Sequence, residues 1–275
     1  MIQPKTKEEL LSIIKDHINT YGECCDLNDI DTSNITDMKS LFANLNFDGD
    51  ISKWDVSNVT DMTNMFTNTK FNGDISNWDV SNVESMVAMF CYCAFNNDIS
   101  KWNVSNVKDM AYMFAESRFN GDISKWDVSN VVHMNGMFEK SNFYQDISKW
   151  NVSKVENMEY MFCSDRCLSD NDISNWNVSN VKNMSYMFMY STFSGDISQW
   201  DVSNVVHMNG MFEKSNFYQD ISKWNVSNVI NMCKMFMFAP FKINVSNWNV
   251  SNVKYHDKAF DNCFVEDEMQ PKFVV

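Results

Sequence analysis

Apolar residues recur along this chain in a fixed frame. Ile, Trp and Val stand at intervals of three and two, then Val, Met and Met-Phe at intervals of three, and the whole pattern returns 24 residues later. The nine tryptophans, from Trp54 to Trp248, keep this period except for one step of 26 residues between Trp150 and Trp176. A period in this range marks an array of stacked units and has to be read before any local motif. Numbering positions from each Trp, Ile stands at −3 (Val245 in the last copy), Val at +2 and +5, Met at +8 and +11, and Phe at +12, with His256 and Ala259 replacing the last two Met. A degenerate first copy places Ile30 in the Trp column and continues as DTSNITDMKSLF, so the count is ten coils.

The alternation in Ile-x-x-Trp-x-Val predicts a short strand, and the three- and four-residue spacings of Val-x-x-Met-x-x-Met-Phe predict a helical turn or two. Ser and Asn between them have turn and helix-capping chemistry. One coil cannot bury its own apolar face, so the expected fold is a repeat solenoid in which each column packs on its copies above and below. At the usual strand spacing ten coils make a rod roughly 50 Å long. Residues 1–25 form an N-terminal helical cap. Within it Thr6 and Glu9 have capping-box spacing, an apolar face runs from Leu10 to Ile18, and Gly22 is the stop. Residues 26–264 form the solenoid, and 265–275 a polar segment over the last coil. The two extra residues near Cys163–Asp170 predict an outward bulge.

Residues 126–153 and 200–227 are identical, three coils apart, which is the mark of internal duplication. Copies such as FNGDISNWDVSNVESMVAMF closely resemble the mycoplasma-lipoprotein type of BspA-like leucine-rich repeat, over residues 26–262. Such repeats occur in bacterial surface proteins, in protists and in large DNA viruses. The resemblance implies a leucine-rich-repeat-like solenoid. It also implies adhesion or protein interaction for secreted members.

Composition narrows the function. A formal net charge of −14 opposes nucleic acid and anionic membranes and favours basic partners or cations. No secretion signal and no apolar run of membrane-spanning length is visible, so the expected location is the cytoplasm or a virion. Eight cysteines ignore the repeat columns and read as free thiols of a reducing compartment. Cys163 and Cys167 have the spacing of half a zinc site, without a second pair to complete it.

Asp precedes Trp by four residues in eight coils, from Asp50 to Asp220. The expected role is to accept hydrogen bonds within its own turn, and the alternative is a row of calcium ions. The double-Gly calcium pattern is missing, so calcium is the disfavoured reading. The +1 column exchanges Asp and Asn freely, which suits a structural acceptor and not a catalytic carboxylate. Asn at +4 predicts a ladder of side-chain amides serving backbone groups. His133 and His207 are duplicates three coils apart and cannot share a metal. With no convergent catalytic set, no phosphate loop and no metal or cofactor site, the expected function is non-catalytic. The expectation is a protein-interaction or structural scaffold with protein partners. The alternative is a cell-surface adhesin binding protein or carbohydrate. The variable columns hold the candidate partner-binding residues Tyr112, Tyr160, Tyr186 and Tyr190, with Tyr92 and Phe238 in the same region.

Overall fold

A computed structural model describes residues 2–164 and 172–273. Cys167, Asp170 and most of the two-residue insertion lie outside the described residues.

The coils stack in parallel at a register of one repeat. Nine isolated parallel bridges join the +7 column from Asp37 to Tyr255, each linking one coil to the next. Around them the backbone alternates. The N–H groups at +8, +10, +12 and +14 donate to carbonyls at +7, +9, +11 and +13 of the following coil, at 2.7–3.1 Å at each of the nine interfaces. Met62, Asn64, Phe66 and Asn68, for example, donate to Ser85, Val87, Met89 and Cys91. The +6 N–H runs the other way, to the +6 carbonyl of the preceding coil, as in Glu84 to Thr60 at 2.8 Å, and in seven coils the +7 N–H shares that acceptor at 3.1–3.4 Å.

The short strand and short helix expected in each coil are absent among the described residues. Ile51–Trp54, Val56–Val59 and Met62–Met65 are instead successive turns, each closed by an N–H to the carbonyl three residues back at 2.9–3.1 Å. A β-turn brings its first and fourth residues to the same side, so a spacing of three is shared by a helix and by a chain of turns. The interfaces decide between them, because a helix would spend every N–H within its own coil. The path also needs two left-handed residues per coil, at +10 and +14. Asn64 and Asn68 have φ 57° and 55°, and the same pair recurs in all ten coils. Eighteen of these twenty positions are not glycine. Each such residue costs about 1–2 kcal/mol, and four inter-coil bonds per interface offset it.

The core is a set of aromatic columns. Phe at +12 stacks on its copies at 5.4–6.0 Å through all ten coils. A second Phe, seven residues before the next Trp, packs against it within the coil, at 4.2 Å for Phe66 and Phe71. Trp packs beside the +12 Phe, for instance Trp78 at 6.3 Å from Phe66, and is 3–5 % exposed throughout. In eight coils the Trp indole N–H donates to the carbonyl three residues before the Trp-column residue of the preceding coil (Ile30 for Trp54), at 3.0–3.2 Å. The Trp248 indole N–H is buried without a partner among the described residues.

Both ends are covered. Helix α1 spans Lys7–Tyr21, with the Thr6 side chain accepting from Glu9 N–H and with Gly22 at φ 91° closing it. It buries Leu10 and Ile14 in the core, and Lys7 reaches Asp37 at 3.3 Å. Ile2 pairs in parallel with Ile30. At the other end a 3-10 turn at Asp267–Met269 leads to Phe273, whose ring stacks on His256 at 4.1 Å.

Candidate interaction surface

The polar columns hold the turns together. In the −4 column each described Asp turns one carboxylate oxygen to the Ser N–H two residues on, at 2.8–3.0 Å. Asn244 makes the same bond at 3.0 Å with no charge. These bonds hold Asp50, Asp98, Asp146, Asp196 and Asp220 below the ordinary carboxylate range, with the backbone bond the largest cause. The Asn side chain at +4 donates to the Ser carbonyl of the preceding coil, for instance Asn82 to Ser57 at 2.7 Å. Lys154 breaks this column and donates instead to Asn130 Oδ1 at 2.6 Å. Among the described residues no group of three or more His, Cys, Asp or Glu side chains is placed to hold a metal ion. Burial pushes the Cys91 and Cys163 thiols up to about 11, the opposite of an activated nucleophile.

The +10 and +14 columns are where the coils differ, and the left-handed backbone sets what they present. The four tyrosines singled out from the sequence divide between them. Tyr112, Tyr160 and Tyr186 belong to +10 and lie along the rod, half-buried. Tyr160 and Tyr186 stack at 4.7 Å with 11° between their planes. Burial, then the neighbouring Tyr186, pushes the Tyr160 hydroxyl up to about 12. Tyr112 lies over Gly136 and Tyr186 over Gly210, where an added Cβ would come within 2.2 and 2.3 Å of the ring. The two glycines make room for the preceding ring.

Tyr190 belongs to +14 and stands out from the surface, with Tyr92 and Phe238 in the same column; they are 44, 55 and 52 % exposed. Between Tyr190 and Phe238 lies Lys214, which sequence reasoning passed over. Its Nζ donates to the Tyr190 hydroxyl at 2.8 Å and sits 4.9 Å from the Tyr190 ring centre and 5.6 Å from that of Phe238. The clue available was the shared column, with an aromatic residue one coil to either side of a lysine.

A family model described as "Mycoplasma protein of unknown function, DUF285" matches three overlapping stretches, residues 15–118, 92–192 and 165–270. The chain belongs to this family. It is a tandem repeat protein, and each match spans about four coils of the frame described above. No curated protein and no solved structure matches the chain.

Within this DUF285 array the duplicated segments supply an internal comparison. Lys140 and Lys214 occupy the same place in identical copies. Lys140 pairs with Glu116 at 2.8 Å and lies 3.8 Å from Glu139. The hydrogen bond to Glu116 raises the Lys140 ammonium above its ordinary value. Burial pushes the Glu116 carboxyl upward, but its bonds to Lys140 and Tyr92 outweigh this and hold it low. Where Glu116 stands for Lys140, Tyr190 stands for Lys214, and no carboxylate lies within ion-pair distance of Lys214 among the described residues. One duplicate is a closed Tyr92–Glu116–Lys140 chain. The other is an exposed cation between two exposed rings.

Proposed function

We propose that the chain is a non-catalytic interaction scaffold, a solenoid in the broad leucine-rich-repeat sense, acting inside a cell or as part of a virus particle. Its partners are proteins, engaged through the +14 edge of the seventh to ninth coils. The observation that carries this reading is the Tyr190–Lys214–Phe238 ridge. Exposed aromatic rings around a cation with no carboxylate partner have the composition of an interface anchor. The rest of the surface supports the same division. The face bearing Lys101, Lys125 and Lys149 repeats one contact from coil to coil, whereas the ridge occurs once.

The test starts from a partner recovered by affinity purification from the native source. Tyr190→Ser with Phe238→Ser and Lys214→Ser is compared with Lys101→Ser, Lys125→Ser and Lys149→Ser, each checked for folding. The ridge variant is expected to lose at least about tenfold in affinity, a loss of about 1.4 kcal/mol or more. Full binding by the ridge variant together with loss in the lysine-face variant assigns the site to the other face. Turnover on a broad substrate panel, abolished by one Asp or His substitution, refutes the non-catalytic reading.

A further inference from the structure

The last coil carries an open row of backbone donors. In the ninth coil Met232, Lys234, Phe236 and Phe238 donate to the tenth at 2.7, 2.9, 2.8 and 3.0 Å. Their counterparts in the tenth coil are His256, Lys258, Phe260 and Asn262. These four N–H groups have no acceptor among the described residues. The C-terminal segment covers the core beside them without filling the row. Met269 accepts from Val245 N–H at 2.9 Å, Gln270 donates to the Val265 carbonyl at 3.1 Å, and Phe273 stacks on the His256 ring.

Between the row and this segment lies a cavity of about 600 Å³, lined by residues 256–263 and by Val265, Asp267, Gln270 and Phe273. That volume falls within the usual range for ligand sites. Unpaired N–H groups at every second residue are the chemistry of a sheet edge, which an added chain completes with its carbonyls. Asp257, Asp261 and Asp267 line the slot against the single cation Lys258.

We propose that this slot binds an extended segment of a partner protein, whose main-chain carbonyls continue the coil-to-coil ladder and whose Lys or Arg side chains face Asp257, Asp261 and Asp267. The row continues an interface the fold already makes nine times, and the carboxylates select a basic segment. A second copy of the chain fits less well. Its matching carbonyls lie on the first coil, which α1 covers through Leu10, Ile14 and the Lys7–Asp37 pair. Phe238 of the ridge adjoins the slot through its N–H to Asp261, but Lys214 lies two coils before it, so binding here survives Lys214→Ser.

The experiment uses the full chain, ¹⁵N-labelled, in two steps. In the free protein the amides of His256, Lys258, Phe260 and Asn262 are expected to exchange roughly tenfold or more faster than those of Met232, Lys234, Phe236 and Phe238. A capped Val-Lys-Val-Lys-Val peptide is then expected to shift these four amides saturably and to slow their exchange. The Val-Glu-Val-Glu-Val peptide should leave them unchanged. Asp257→Asn with Asp261→Asn should weaken the basic peptide by about two- to fivefold, as for partly exposed ion pairs. Four amides already protected in the free protein overturn the proposal. So do shifts that map elsewhere, equal binding of the Glu peptide, or the same shifts produced by raising protein concentration alone, which would assign the row to a second copy.

Discussion

Replacing Trp126 by Ala tests the stacking at its centre. The side chain is 4 % exposed. Its ring lies 6.5 Å from that of Trp102 and 6.3 Å from that of Phe114, and its N–H donates to the Ile99 carbonyl at 3.2 Å. Removing a large buried aromatic costs about 3–5 kcal/mol, and the cavity forms between coils, where stacking supplies the stability. Losing the indole bond adds about 1 kcal/mol, although the Ile99 carbonyl keeps the Trp102 N–H at 3.1 Å. Trp126→Phe keeps most of the ring contact and loses the donor, so it should cost about 1–3 kcal/mol. Trp200 heads the identical duplicate and donates to Ile173 at 3.1 Å. Trp200→Ala should therefore fall in the same range of about 3–5 kcal/mol, and the two losses should add, since the sites are far enough apart to act independently. Urea unfolding, followed by the fluorescence of the remaining tryptophans, reads all three. A loss below about 1 kcal/mol for Trp126→Ala would place the Trp row outside the cooperative core. A neutral Trp126→Phe would show that the indole bond contributes nothing.

The left-handed corners give a pair of opposite outcomes. Ala88→Gly, at φ 50°, should stabilise by about 0.5–1 kcal/mol, whereas Gly210→Ala, at φ 61° and under the Tyr186 ring, should destabilise by about 1–3 kcal/mol. Thermal denaturation distinguishes them, and Tyr186→Ala should recover part of the second loss. Stability should also fall in acid. Folded-state pKa values held below the ordinary aspartate value contribute stability that is complete above that value and is lost as pH falls through the folded ones. Unfolding midpoints should therefore drop below about pH 4, and Asp→Asn at positions 98, 122, 146 and 196 should flatten the slope, because Asn244 already makes the same bond uncharged. Finally, the Trp248 indole N–H should exchange with deuterium first among the nine, since it alone has no acceptor among the described residues; uniform protection would contradict that assignment.

What was legible in the sequence, and what was not, follows from which interactions the columns encode. Trp and Phe recur strictly because each must fit copies of itself above and below, so period, register and core are all written in the linear pattern. Asp at −4 was legible as a turn acceptor because its chemistry is local, and Asn at +4 as an amide donor because it recurs in one column. The turns themselves were hidden. Residues three apart look the same whether they share a helical face or flank a β-turn, and the usual signal of a left-handed corner, glycine, stands at only two of the twenty positions. Non-glycine corners are tolerated here because the bonds that pin them come from the next coil, and a single coil read alone does not contain them. The same reasoning separates the tyrosines. Tyr160 and Tyr186 share a column in adjacent coils, and their contact was legible; that their rings lie flat depends on Gly210 one coil further on. Lys214 is identical in sequence context to Lys140 for its whole coil, and the neighbours at 190 and 238 instead of 116 and 164 turn an ion pair into an exposed, ring-flanked cation. In a stack of near-identical coils, function is therefore to be sought in pairs of residues one period apart, not in any single copy of the motif.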